Sequence, residues 1–447
     1  MAISGPGLSK RAEQHLVVYP PDLLKLDKYY DKEHNPNGTI FWLGIAENSL
    51  MSKELIQYME AHFHLTPSHL KYRNSLHNGY VNYTGISLPL YFNTYFKPLH
   101  EVLPRHVVPG NGLGSLLAQF VWSVCDKGEG VLLPTPYYAD YPRDIHFPAQ
   151  AVPVAGRIPV GVNPLSSESI AHVRECIIKS NEAGTKVKMI IFWCALLVCQ
   201  LIRKGLIRLA EEFDLHFLAD EVYALQTFPT SSNPTPTPFV SVLAIDWAAH
   251  GVSPARIHAL AGPTKDFGAS GIKVGALISQ ANPAVVGMLT ETVKANPMSA
   301  AADALFTQII NDRTWCDWFL AENRRRLRAA YERAAAWATW HGLRFQAANA
   351  GVFFVLDLAP LIDKIAPKEL KLGPRLMFVV KAMLKNGIFL VADALQRPTD
   401  NCEDPVPTNF RMTYTLPEDI MRLSFKRLEK TFNLPNWNEG EQASLSL

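Results

Sequence analysis

From about residue 107 onward, short apolar runs alternate with stretches of helical periodicity. Val187–Trp193, Leu215–Ala219, Ile257–Ala261 and Val274–Ser279 are apolar without a two-residue alternation. Gly130–Leu133, closed by Pro134-Thr135-Pro136, and Ala151–Ala155 are of the same kind. Such runs predict strands buried on both faces. Between them, Gly112–Ser123 reads as a turn opening a helix, and Ser166–Ser180 and Lys204–Phe213 read as helices. The alternation predicts an α/β fold with a mostly parallel central sheet covered by helices. Upstream, Ser52 is placed to cap a helix over Lys53–Phe63, and a polar, glycine-containing loop follows through Tyr83-Thr84-Gly85. Before that lies an arm with Tyr19-Pro20-Pro21, a short helix near Leu23–Tyr30 and a turn at Asn35-Pro36-Asn37-Gly38.

After about residue 300 the pattern changes. A long helical stretch, Ala301–His341, precedes two strand candidates, Gly351–Leu356 and Gly387–Val391. Between these, Pro374–Leu384 reads as a helix with its proline in the first turn. This is the pattern of a smaller α+β domain. The expected division is an N-terminal arm with part of the small domain at 1–50, a large domain at 51–300, and a C-terminal small domain at 301–447. The proline-rich stretch Pro229–Pro238 is expected to be a surface loop.

A chain of 447 residues has room for two or three domains. Its 48% hydrophobic and 19% charged content is that of a globular protein. A net charge of +2 and a pI near 8.1 give no electrostatic footprint for nucleic acid. The one basic run, Arg324-Arg325-Arg326-Leu327-Arg328, sits in a helical pattern and reads as a solvated face. The cysteines Cys125, Cys176, Cys194, Cys199, Cys316 and Cys402 show no CxxC spacing, so reduced thiols are expected and no metal site. No basic-then-apolar leader is apparent at the N-terminus. The longest apolar run, Met189–Ile202, contains Gln200 and is shorter than the roughly 20 residues a bilayer needs. A soluble, cytoplasmic protein with no membrane or nucleic-acid partner is expected.

In an open parallel sheet, ligands bind beyond the carboxyl ends of the strands. The candidate chemistry falls there. Asp220 follows the run Leu215–Ala219, Tyr223 lies three residues on, and Lys265 follows Ile257–Ala261 inside Gly262-Pro263-Thr264-Lys265-Asp266-Phe267-Gly268. Gly110-Asn111-Gly112-Leu113-Gly114-Ser115 opens a helix, so its backbone N–H groups and dipole suit a phosphate. Each feature is weak alone. Together they match one cofactor, pyridoxal 5'-phosphate, which offers an aldehyde to a lysine, a ring nitrogen to a carboxylate, a phenolic oxygen to a tyrosine and a phosphate to a helix start.

The chain resembles the fold-type-I pyridoxal-phosphate enzymes of the class I/II aminotransferase superfamily, and among them the 1-aminocyclopropane-1-carboxylate (ACC) synthase-like branch. The matching stretches are Asn35-Pro36-Asn37-Gly38 with Leu43-Gly44-Ile45-Ala46-Glu47-Asn48; Asn82-Tyr83-Thr84-Gly85; Pro134-Thr135-Pro136-Tyr137-Tyr138 with Arg143-Asp144; Ala219-Asp220-Glu221-Val222-Tyr223; Thr264-Lys265-Asp266-Phe267-Gly268; and Met421-Arg422-Leu423-Ser424-Phe425. The resemblance implies that residues 51–300 form the cofactor-binding domain. It implies that Lys265 condenses with the aldehyde and later carries the substrate's Cα proton, that Asp220 pairs with the ring nitrogen, and that Tyr223 bonds the ring hydroxyl. Tyr138, or its neighbour Tyr137, would stack on the ring. Gly112, Leu113, Gly114, Ser115, Thr264 and Lys273 would hold the phosphate, with Tyr83 reaching it from the partner subunit of a homodimer with shared active sites. Arg422, in an apolar strand-like run, would bind the substrate's α-carboxylate. Glu47 and Arg143 would lie toward the substrate side chain.

The chain departs from the family pattern at three places. Cys194-Ala195-Leu196-Leu197-Val198-Cys199-Gln200 replaces the usual Asn-Pro-x-Asn-Pro-x-Gly loop, so Leu197 stands where an Asn bonds the ring hydroxyl. Lys273 replaces an Arg, and Gly262 a Ser. These departures weaken a reading as an ordinary transaminase or a true ACC synthase and fit a chain of that branch recruited to another reaction. The leading expectation is a lyase or synthase acting on an amino acid with a side-chain leaving group, with S-adenosylmethionine or a cysteine conjugate as candidate substrates. The carbon–sulfur lyases of fungal gliotoxin-type pathways are of this branch. An aminotransferase and a non-catalytic relative are the alternatives.

Overall fold

The computed structural model describes residues 40–70, 83–135, 137–138, 140–159, 161–163, 166–193, 200–392 and 408–438. The expected arm, the turn at Asn35–Gly38 and the loop Cys194–Cys199 lie outside them. Among the described residues the strands are, in chain order, β1 (Phe41–Trp42), β2 (Val107–Gly110), β3 (Gly130–Pro134), β4 (Val152–Gly156), β5 (Val187–Trp193), β6 (His216–Asp220), β7 (Ile257–Ala261), β8 (Gly275–Ile278), β9 (Phe345–Gln346), β10 (Phe353–Asp357), β11 (Ile388–Phe389), β12 (Val391–Ala392) and β13 (Asn409–Thr413). Two compact units form. The larger spans Glu47–Arg333 and Ala347–Phe353. The smaller takes in, of the described residues, 40–46, 334–346, 354–392 and 408–438. The boundary expected near residue 300 thus falls within the helix Arg313–Trp340 instead.

In the larger unit, seven strands pair in the order β2-β8-β7-β6-β5-β3-β4. Only β8 runs against the rest. Alternate residues of each strand enter different cores. Met189 and Ile191 of β5, Leu218 of β6, Leu260 of β7 and Leu277 of β8 pack with Leu116, Phe120 and Ile145 from the helices Leu113–Val124 and Tyr141–Ala149. Ile190, Phe217, Ala259 and Ile278 pack on the other face with Val173, Leu206 and Phe306 from the helices Ser167–Glu182, Gln200–Glu212 and Ala300–Asn311. Burial on both sides is why these strands read as unbroken apolar runs. Each such Leu or Ile contributes about 1.5–3 kcal/mol.

Strand order reverses between β3 and β5: β3 is followed outward by β4, whereas β5 leads to β6 and β7 the other way. Such a switch point opens a crevice at the carboxyl ends. Pro229–Pro238 carries no helix or strand. Two expectations change. Tyr83–Tyr95 is a helix rather than a loop, because Leu88, Tyr91 and Phe92 form a buried stripe at helical spacing that outweighs Gly85 and Pro89. The long pattern after residue 300 is two helices, Ala300–Asn311 and Arg313–Trp340, broken at Asp312.

In the smaller unit, β12-β13-β10-β9 form one sheet and β1 pairs with β11. The helices Ala359–Ile365, Leu372–Lys385 and Glu418–Phe432 accompany them.

Candidate active site

Asp220 ends β6 and is 7% exposed. Its Oδ2 accepts a 2.6 Å hydrogen bond from the Tyr141 hydroxyl, and its Oδ1 accepts one of 3.2 Å from the Val222 N–H. Burial pushes its pKa up to about 6, against the opposing pull of Tyr141, the Val222 N–H and the charge on Lys265. Lys265 lies in the single turn Pro263–Asp266 that follows β7. Its Nζ donates to Ser270 Oγ at 3.1 Å, and its carbonyl accepts from Gln226 Nε2 at 2.7 Å. Because β6 and β7 are parallel neighbours, with Asp220 opposite Leu260, carboxylate and amine leave the sheet at one edge.

Aromatic groups surround this edge. Trp193, opposite Asp220 in register, stacks on Phe353 at 6.0 Å between centroids. Tyr223, 5% exposed, meets Phe353 edge-on at 6.2 Å. The Tyr138 ring meets Tyr141 edge-on at 5.4 Å, and its hydroxyl donates to Asp140 Oδ2 at 2.7 Å. Burial, helped by Asp140, holds the Tyr138 phenol well above its usual pKa, hence neutral.

The glycine turn sits at the same edge. Gly112 caps the helix Leu113–Val124 with φ 79°, a conformation that favours glycine, and a Cβ there would lie 3.3 Å from Lys273 Cδ. Lys273 itself has φ 61°. The first turn leaves N–H groups without helical partners. Ser115 Oγ accepts from Gln119 Nε2 and from Asn296 Nδ2, both at 2.9 Å. With both lone pairs used, its hydrogen is directed to an acceptor elsewhere. Gly114, Ser115, Arg143, Asp144 and Asn296 line a cleft of about 460 Å³.

The Aminotransferase class I and II family matches residues 202–423. A "Probable aminotransferase", gliI of Aspergillus fumigatus, is 28% identical over 440 residues, covering 96% of this chain and 97% of that one. The 1-aminocyclopropane-1-carboxylate synthase-like protein 1 of Mus musculus is 26% identical over 415 residues, covering 90% of this chain and 77% of that one. The aspartate aminotransferase from Thermus thermophilus with maleate superposes with a TM-score of 0.70 at 17% identity, covering 96% of this chain and all of that one. The chain belongs to the class I/II aminotransferase superfamily. It is a fold-type-I enzyme of the ACC synthase-like branch, and its cofactor is pyridoxal 5'-phosphate.

The residues present fit that cofactor. A carboxylate buried at Asp220 calls for a cationic partner, which a protonated ring nitrogen provides. The orphan N–H groups at 113–115 and the directed Ser115 hydrogen suit a phosphate, with Lys273 lying over Gly112. Lys265 comes off the strand next to Asp220.

Other residues expected from the superfamily pattern are placed differently. Thr264 is not free to hold a phosphate: its hydroxyl donates to Val274 O at 2.6 Å and accepts from Val274 N–H at 2.7 Å. It clamps the start of β8 instead. Gly262 lacks a serine hydroxyl for a steric reason, since a Cβ there would stand 2.8 Å from Gly275 Cα. Arg422 is not on a strand. It lies on the helix Glu418–Phe432, 46% exposed in its side chain and 2.7 Å from Glu418 Oε1. Met421, Ser424, Phe425 and Leu428 are the buried stripe of that helix, which turns Arg422 outward. Arg143 is likewise exposed and paired with Asp144 at 3.2 Å and Asp140 at 3.4 Å, and Glu47 is exposed. Tyr83 begins its helix, and its side chain, like Leu197, lies outside the described residues.

Sequence reasoning missed Tyr141, Ser270 and Asn296, which touch the expected residues, and the strand that carries Arg411. Arg411 is on β13 in the smaller unit, half-buried, with Nη2 donating to Gly44 O at 2.6 Å. Thr413 binds Leu43 O through its N–H at 2.7 Å and Ile45 O through its hydroxyl at 2.9 Å. The alternation in Asn409-Phe410-Arg411-Met412-Thr413 was the available signal.

Proposed function

We propose that this chain is a pyridoxal-phosphate lyase for an amino acid whose side chain carries a leaving group, with a carbon–sulfur bond as the bond broken. The observation that carries the reading is the placement of the Lys265 amine and the buried Asp220 carboxylate at the same end of neighbouring strands, with the charge of Lys265 acting on Asp220. The cofactor supplies an electron sink conjugated to the substrate's α-carbon. Asp220 would keep the ring nitrogen protonated, and Tyr223 would donate its hydroxyl to the ring oxygen. Residues 113–115 and Lys273 would hold the phosphate, and Tyr138 would cover the ring. Lys265 Nζ takes the Cα proton. For a cysteine conjugate, the Cβ–S bond then breaks with its electron pair going to sulfur. Addition of water leaves thiol, ammonia and keto acid.

Leu197 in place of the usual Asn favours elimination over transamination, because it removes a polar contact to ring oxygen and substrate carboxylate. Transamination is the second reading, favoured by the names of relatives such as gliI. We take the enzyme to be a cytoplasmic homodimer with Tyr83 given across the interface. Incubation with S-substituted cysteines, S-adenosylmethionine and common amino acids, with and without a keto acid, separates the readings. Product without keto acid supports the lyase. A strict requirement for keto acid overturns it.

A further inference from the structure

We propose that Tyr141 is a positioning residue for Asp220, fixing the carboxylate's orientation and charge so that it presents an anion to the ring nitrogen. This rests on the reading of Asp220 as the ring-nitrogen partner. The carboxylate has one donor on each oxygen. Val222 N–H holds Oδ1 at 3.2 Å and the Tyr141 hydroxyl holds Oδ2 at 2.6 Å. Two donors on two oxygens restrain rotation of the carboxylate plane, and the shorter of them comes from a separate element. Tyr141 opens the helix Tyr141–Ala149, is 2% exposed, and packs between Asp220 and the Tyr138 ring. One side chain therefore braces both the carboxylate expected at the ring nitrogen and the aromatic expected to cover the ring.

The charges around Asp220 explain why such a donor matters. Lys265 is the nearby positive group, and Glu221, the next residue, is a buried carboxyl of like sign. Glu221 is itself anchored by Ser241 Oγ at 2.6 Å and Val242 N–H at 2.7 Å, with Arg203 at 3.9 Å. Once Lys265 is committed to the cofactor, Tyr141 and the Val222 N–H are the donors left to stabilise the anion. A hydrogen bond to a charged group is worth roughly ten- to a hundredfold in an equilibrium constant.

The test uses the holoenzyme and apoprotein of wild type, Tyr141→Phe, Asp220→Asn and the double variant. Phenylalanine fills the same space, so the thermal unfolding midpoint of the apoprotein reports whether the fold is kept. Tyr141→Phe should weaken pyridoxal phosphate binding to the apoprotein by about tenfold or more. It should also move the pH midpoint of the bound cofactor's visible absorption upward, because a less anionic Asp220 leaves the ring less positive. On the Asp220→Asn background the same change should do little, since its target is gone. A normal cofactor affinity and pH midpoint in Tyr141→Phe, with both altered in Asp220→Asn, overturns the role of Tyr141. Unaltered values in Asp220→Asn overturn the reading of Asp220 itself. Full additivity of the two changes also overturns the proposal, because it means that Tyr141 acts elsewhere.

Discussion

Polar side chains gather at both ends of strands β6 and β7, and the two ends are built to opposite purposes. At the amino ends, His216 and His258 share a 3.0 Å hydrogen bond, and His258 shares another of 2.9 Å with Ser279 on β8. Phe120 lies edge-on to His258 at 4.9 Å. Burial holds His258 well below its ordinary pKa, so the group is neutral, and every ring nitrogen of His258 has a partner. At the carboxyl ends, Asp220 is buried with its acceptor capacity only partly used, and Lys265 stands in the turn that follows the next strand. Polar groups that serve packing complete one another. Polar groups that serve chemistry are left needing a third party.

Changes at the carboxyl end should therefore abolish chemistry. Lys265→Ala should lower turnover by at least 10²–10⁴-fold, the range for loss of a general acid–base, while apoprotein circular dichroism is retained. Asp220→Asn should weaken the cofactor and, in the apoprotein, raise stability at alkaline pH. Folding lifts the carboxyl pKa from 3.8 to about 6. Between those values the folded state keeps a proton the unfolded chain has lost, so stability falls as pH rises through the window. Above pH 6 the variant should be the more stable apoprotein by up to about 3 kcal/mol, read from urea unfolding at pH 4 and pH 8.

The two arginines of the smaller unit sharpen the contrast between a held cation and a solvated one. Arg411→Gln should cost about 1–3 kcal/mol of stability in urea unfolding, since Gly44 O loses a charged donor. Arg422→Gln should change neither KM nor stability by more than about 0.5 kcal/mol, as an exposed i,i+4 pair is lost. At the amino end of the sheet, His258→Leu should cost about 1–3 kcal/mol, since it leaves His216 and Ser279 short of a partner, with cofactor absorption unchanged. Its pH slope in wild type is opposite to that of Asp220. Below about 6.5 the unfolded chain takes up a proton that folded His258 refuses, so stability falls with acid.

The central sheet was legible because burial on both faces writes itself as an apolar run. Val187–Trp193 coincides with β5, and Ile257–Ala261 with β7. Asp220 and Lys265 were legible because both sit at the ends of such runs. Tyr141 was not, because its function depends on a helix packed across the sheet, which no local spacing records. Arg422 misled for a related reason. Met421-Arg422-Leu423-Ser424-Phe425 is short enough to suit strand or helix, and only Leu428 and Phe432 extend the helical stripe far enough to decide it. Thr264 sits in the right motif, yet a backbone ten residues on, at Val274, has taken its hydroxyl. Spacing gives the residue and not the partner.

The central claim is that the amine at Lys265 is the covalent attachment point, set against the charge of Asp220. Hydride reduction of the cofactor-loaded protein, followed by peptide mapping, tests it most directly. The phosphopyridoxyl group should be found on the peptide containing Lys265 and should be absent from the Lys265→Ala protein. Label on another lysine, Lys273 included, with Lys265 unmodified would contradict the account.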